Sequence, residues 1–218
     1  MGWANASYKD AVIEAIGLPV ANGKAAARLI SPVADLSDES RTALRRYSVS
    51  EFAGQEDGKA LNRALLSGDQ SHSDWVRSLD DAFVWAFKKD ILLWRGGETS
   101  PNGEPNPAYT STSLVERQAR QFRSRGSGAI AAIVLPAGSR IALPSYVWGE
   151  GDDERTLGVV RREVEILLPR GTQFGHIATV DPFEGQGNSS VRVRVMRATV
   201  PNFDMAKEQE LSEAPTPV

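Results

Sequence analysis

The chain has no cysteine and only two histidines, His72 and His176. Disulfides, thiolate nucleophiles and cysteine metal sites are thereby excluded, although the redox compartment is not fixed. The histidines lie far apart in sequence, which argues against a histidine-rich metal site; each is expected at the surface or in packing. No apolar run approaches the roughly 20 residues of a membrane span. Met1 to Asp10 lacks the basic-then-apolar pattern of a secretory signal. A formal net charge of -3 gives no reason to expect a nucleic-acid partner. What is present is ordinary for a globular chain: 218 residues, 41% hydrophobic and 24% charged, enough for one sizeable core with a small helical annex. A single domain over 1–204 is expected, with a loose polar tail over 205–218.

The organisation changes about a third of the way along. Residues 6–90 read mostly as helices. Tyr8, Val12, Ile13 and Ile16 recur at helical spacing, and Gly17 and Pro19 end the run. Ser37 or Asp38 can cap a helix that carries Leu44 and Tyr47. Ala60 to Leu66 is a short amphipathic segment closed by Ser67-Gly68-Asp69. Ser73 or Asp74 opens a longer helix whose stripe is Trp75, Leu79, Phe83, Ala86 and Phe87. Over 91–200 the signals are β-type: Ile91 to Trp94, Ala129 to Leu135, Arg140 to Leu143, Val164 to Leu168 and Val191 to Met196. Ser113 offers a cap, with Glu116 three residues later, for a helix over Leu114 to Arg123. The class is α+β, helices first and then a mainly antiparallel β core of two packed sheets. Gly17 to Lys24 superficially suggests a phosphate-binding P-loop. Its spacing is one residue too long, and Ala25 replaces the required Ser or Thr.

Three separated pieces carry chemistry. Arg95 ends an apolar strand and is followed by Gly96 and Gly97. Glycines permit close approach of a ligand to the backbone, and a guanidinium fork suits phosphate or carboxylate. An arginine that begins a solvated turn is the plain alternative. Ser111-Thr112-Ser113 would set Ser111 and Ser113 on one strand face and Thr112 on the other. Such hydroxyls can donate to a carboxylate or ligand, or make local turn bonds into the following helix. Glu163 and Glu165 stand one residue apart. In an extended strand they share a face, with Val164, Ile166 and Leu168 turned away. Repelling carboxylates need something to hold them together, unless this is a solvated edge strand.

An arginine after a strand, a Ser-Thr-Ser strand and a Glu-x-Glu strand, in that order, resemble the mono-ADP-ribosyltransferases of the Arg–Ser–Glu class. Within that class the chain is most similar to binary-toxin and exoenzyme-type catalytic domains, over roughly Leu44 to Ile177. The family carries a phenylalanine eleven residues beyond the first serine and an arginine three further on; here these are Phe122 and Arg125. Tyr47 and Asn62-Arg63-Ala64-Leu65 look like the family's helical tyrosine and Asn-x-x-Leu, with no role assigned to Tyr47. Departures are Gly96, where several members have a second arginine, and Ala108, where many have asparagine. Both fall where contacts to the adenosine half of NAD would lie.

The resemblance implies an enzyme that uses NAD as co-substrate, without metal, and transfers ADP-ribose to a protein side chain. Arg95, Gly96, Ser111, Thr112, Ser113, Phe122, Arg125 and Glu165 would bind NAD. The catalytic set would be Arg95, Ser111, Glu165 and Glu163, with Glu165 beside the ribose cation and Glu163 serving the acceptor. A glutamate at position 163 implies arginine on a target protein as that acceptor. The acidic loop of about Gly149 to Arg162 would face the target or simply be solvated. The same resemblance implies a toxin or effector, cytoplasmic in its producer or delivered by a secretion system, with an immunity or delivery protein among the conceivable partners. An NAD glycohydrolase and a non-catalytic binding module of the same fold are the competing expectations.

Overall fold

The structure, a computed structural model, describes residues 8–48, 57–97, 99, 102–123, 130–148, 164–181 and 192–201. Helix α1 (Tyr8–Ile16) is followed by a 3-10 turn (Lys24–Leu29) and a short strand β1 (Ile30–Pro32). Helices α2 (Asp38–Ser48), α3 (Gly58–Ser67) and α4 (Ser73–Asp80) come next, then β2 (Trp85–Phe87) and β3 (Ile91–Gly96). After β4 (Thr110–Ser113) and α5 (Glu116–Arg123) the chain is β-rich: β5 (Ile130–Leu135), β6 (Arg140–Ile141), β7 (Glu165–Leu168), β8 (Gln173–Val180) and β9 (Val193–Thr199).

Helix ends follow from local chemistry. The Ser37 hydroxyl accepts from the backbone N–H of Ser40 at 3.1 Å, which caps α2. Asp57 caps α3 by accepting from Lys59 and Ala60 at 3.1 and 2.9 Å. Gly68, left-handed at φ 75°, closes α3 as the Ser67-Gly68-Asp69 run implies.

The expected continuation of the fourth helix to Phe87 is wrong. Helix α4 stops at Asp80, and the Asp81 N–H turns back to the carbonyls of Arg77 and Leu79. Trp85, Ala86 and Phe87 form β2, buried throughout, between β1 and β6. A strand buried on both sides is apolar at every position, so it also satisfies a helical count of apolar residues. The region 6–90 therefore contains two strands. Strand β8 had no counterpart in the sequence pattern, because Gly175, His176 and Ile177 are all exposed and blur the alternation.

The strands make two sheets. One has the order β1-β2-β6; the other has the order β7-β4-β3-β5-β9-β8. All pairings are antiparallel except β5 with β9. The sheets meet where Ala142 and Leu167 exchange two backbone hydrogen bonds of 3.0 Å. The main core fills one face of the large sheet with Leu93, Ile133 and Met196, packed against Leu44, Leu61, Leu79 and Phe87. A second cluster lies on the other face, where Leu92, Trp94 and Val195 meet Val12 of α1 and Ala119 of α5. Among the described residues no helix is long and apolar enough to cross a membrane.

Candidate active site

Alternation along β3 sends Leu93 into the main core and Trp94 into the second cluster, so Arg95 lies on the main-core face. Strand β4 is its neighbour through the pair Trp94–Ser113, and β7 lies beyond β4 through Ser113–Glu165. Three adjacent strands, with β7 at the edge of the sheet, thus bring remote parts of the chain side by side. The Arg95 guanidinium donates from Nη1 to the Ser111 carbonyl at 2.7 Å. Its Nε is buried with no hydrogen-bond partner. A buried guanidinium donor without a partner is costly and fits a site completed by an oxygen of a ligand.

Tyr47, at the end of α2, reaches the same place. Its hydroxyl lies 3.3 Å from the Ser111 Oγ and accepts from the Asn62 amide nitrogen at 2.9 Å. Burial, and then the negative charge of Glu165, push the Tyr47 hydroxyl up to about 12. Burial pulls the Arg95 guanidinium below its ordinary value, while Tyr47 and Glu165 act in the opposite sense. The carboxylate of Glu165 is therefore felt by both residues, and Arg95, Ser111, Tyr47 and Glu165 form one electrostatic group.

The other two hydroxyls of the Ser-Thr-Ser run are used differently. Thr112 is buried and donates to the Ile166 carbonyl at 2.7 Å, fastening β4 to β7. The Ser113 Oγ accepts from the Val115 N–H at 3.0 Å and leads into α5. Strand β7 begins at Glu165, and Val164 before it has φ 44°. The extended geometry expected through Glu163-Val164-Glu165 is thus interrupted at Val164, a β-branched residue in a region such residues rarely occupy. Gly96 pairs with Ile130 inside the sheet, and Gly97, at φ 107°, makes the turn that follows. Phe122 is 45% exposed on α5. Glu163, Arg125, the acidic loop over 149–162 and the tail lie outside the described residues.

The strand order and this convergence can be set against known proteins. No family model matches the sequence, and no curated protein matches it. Solved structures do match. The ADP-ribosylating toxin BECa of a binary enterotoxin of C. perfringens, solved with NADH, aligns over 77% of this chain at TM-score 0.54 and 15% identity. C3stau2 from S. aureus, solved with NAD, aligns over 87% of this chain and 96% of its own at TM-score 0.55 and 17% identity. Plx2a, an ADP-ribosyltransferase toxin from Paenibacillus larvae, aligns over 75% and 87% at TM-score 0.53 and 16% identity. This chain has the ADP-ribosyltransferase fold. It spans 45% of the BECa chain.

Within this ADP-ribosyltransferase fold, two features had no assigned role in the sequence. Asn62 grips the backbone of Tyr109 from both sides: its Oδ1 accepts from the Tyr109 N–H at 3.1 Å and its Nδ2 donates to the Tyr109 carbonyl at 3.2 Å. The Tyr109 hydroxyl donates to Asp80 at 2.7 Å, and Asp80 also holds Arg170 at 2.7 Å. The residue that precedes β4 is thus fixed at its backbone and at its ring tip. An Asn-x-x-Leu on an amphipathic helix was the only sequence signal of this contact. Among the described residues no group of three or more His, Cys, Asp or Glu could hold a metal ion.

Proposed function

We propose that the chain is a mono-ADP-ribosyltransferase that takes ADP-ribose from NAD and passes it to an arginine of a target protein, acting as a bacterial toxin or effector. The observation that carries this reading is the gathering of Arg95, Ser111 and Glu165 on the neighbouring strands β3, β4 and β7, with a buried guanidinium nitrogen left unpartnered. The fold adds support, because BECa and C3stau2 were solved with NADH and NAD respectively.

Arg95 would take a phosphate oxygen of NAD on its guanidinium and hold the dinucleotide in a reactive pose. The bond between the ribose C1′ and the nicotinamide nitrogen breaks. Its electron pair leaves with nicotinamide, which departs neutral, so no general acid is needed. The sugar becomes oxocarbenium-like, as in glycoside hydrolysis. Glu165 supplies a fixed negative charge beside that cation and accepts a hydrogen bond from a ribose hydroxyl. Ser111 keeps Glu165 in place. The acceptor guanidinium is protonated in water and must give up a proton as its nitrogen bonds C1′. Glu163 would receive that proton. NAD hydrolysis is the same reaction with water as acceptor.

The experiment is a paired assay of transfer to protein and of NAD hydrolysis. Glu165→Gln is expected to lower both rates by at least about 10²-fold, the usual loss when one preorganised electrostatic group is removed. Glu163→Gln is expected to lose transfer to arginine and keep measurable hydrolysis. Full activity in Glu165→Gln would overturn the proposal. Equal loss of both activities in Glu163→Gln would remove its acceptor-specific role.

A further inference from the structure

The amide of Asn62 can sit in only one orientation. The Tyr109 backbone N–H can donate and never accept, so the Asn62 atom 3.1 Å from it is the oxygen. The amide nitrogen is thereby turned to the Tyr109 carbonyl at 3.2 Å and to the Tyr47 hydroxyl at 2.9 Å. Tyr47 accepts that bond, which leaves its own proton for the next oxygen along, the Ser111 Oγ at 3.3 Å. Tyr47 always has this proton near neutral pH, since burial raises its ionisation to about 12. Ser111 therefore receives a hydrogen bond on one of its lone pairs, and its own proton points onward. Arg95 cannot take that proton, because a guanidinium has no acceptor. A carboxylate oxygen can.

We propose that Tyr47 and Asn62 are positioning residues that set the direction of hydrogen bonding through Ser111, so that Ser111 presents its proton to the site. The backbone anchors make the direction permanent. The Ser111 backbone is anchored, because its carbonyl is held by Arg95 at 2.7 Å. Tyr47 cannot turn away, because Gly58 of α3 lies against it: a Cβ there would stand 2.6 Å from the Tyr47 carbonyl and 2.9 Å from its ring. Its ring also meets Tyr109 edge-on, with centroids 5.9 Å apart. The chain of donors runs from the Asn62 amide through the Tyr47 hydroxyl to the Ser111 hydroxyl, which would donate to the carboxylate that the proposed function assigns to the ribose cation. The kinetic part of this inference rests on that function.

Two variants separate direction from mere packing. Tyr47→Phe keeps the ring and removes the relay; kcat for NAD hydrolysis is expected to fall about tenfold with KM for NAD within about twofold, the signature of one lost hydrogen bond felt at the transition state. Asn62→Asp is nearly isosteric but cannot donate. Tyr47 then turns its proton to residue 62, Ser111 turns its own to Tyr47, and the site faces a lone pair. Its kcat is expected to fall as far as that of Ser111→Ala. An unchanged kcat in Tyr47→Phe would overturn the inference. So would an Asn62→Asp enzyme that folds and hydrolyses NAD at the wild-type rate. A readout independent of activity is the Tyr47 hydroxyl proton in NMR spectra of the full chain. Its strongest side-chain contact is expected with Ser111 in wild type; a strongest contact with Asn62 would overturn the inference. A wild type that cleaves no NAD, with the proton on the Ser111 side, would sink the proposed function and leave the hydrogen-bond direction standing.

Discussion

Arg95 carries a positive charge to the end of a central strand, where burial works against it and the negative charge of Glu165 works for it. Tyr47 is in the reverse position: burial and the nearby carboxylate keep it protonated. Its folded ionisation lies at about 12 against 10.0 when unfolded. The folded state thus holds the proton more tightly, so its stability is full below pH 10 and declines as pH rises towards 12. The decline from this one group is about 2–3 kcal/mol across that window. Urea unfolding at pH 9, 10 and 11 checks it: Tyr47→Phe is expected to lose stability with a shallower slope than wild type. Coincident slopes would mean that the hydroxyl is not shielded. The motif residues were legible in the sequence because strand alternation and a Ser-Thr-Ser run are short-range patterns. The difference between Ser111 and its two neighbours was not. It depends on Thr112 finding the Ile166 carbonyl across the strand pair and Ser113 turning into α5. The Val164 φ of 44° was equally hidden, since nothing in Glu-Val-Glu forbids a continuous strand.

At the scale of elements, α3 holds the site together. Its first residue, Gly58, permits α2 to pass close, and its fifth, Asn62, clamps the start of β4. Gly58→Ala is expected to destabilise the fold by about 1–3 kcal/mol, because a methyl group would overlap the Tyr47 carbonyl and ring. Thermal unfolding by circular dichroism measures it, and an unchanged Tm would show that α2 and α3 are free to part. The other end of the clamp is Tyr109 on Asp80. Tyr109→Phe removes the one hydroxyl proton that serves Asp80, with the Val76 carbonyl beside it, but leaves the Arg170–Asp80 ion pair, so a loss of about 1–2 kcal/mol is expected in urea unfolding. Capped, amphipathic helices were readable from their periodicity and from Ser37 and Gly68. The end of α4 was not, because Ala86 and Phe87 continue the helical stripe of Trp75, Leu79 and Phe83 and also belong to the buried strand Trp85–Phe87. Long-range pairing with β1 and β6 made that choice, and no local rule contains it.

At the scale of the whole molecule, the α+β class and the order of the three motif strands were legible, since they follow chain order. The parallel pairing of β5 with β9, and the junction of the two sheets at Ala142 and Leu167, were not; both join segments far apart in sequence. The fold likeness at 15–17% identity has the same origin. An apolar sheet face can be filled by many side chains, whereas a site must keep its particular groups. The central claim is that the group of Arg95, Ser111 and Glu165 on the large sheet cleaves NAD and transfers its ADP-ribose. Incubating the full chain with NAD labelled in its adenylate half and a target-cell lysate tests it directly, with Glu165→Gln in parallel. The expected result is label on protein arginine and released nicotinamide with wild type, and neither with Glu165→Gln. Intact NAD and unlabelled protein with the wild-type chain would contradict the account.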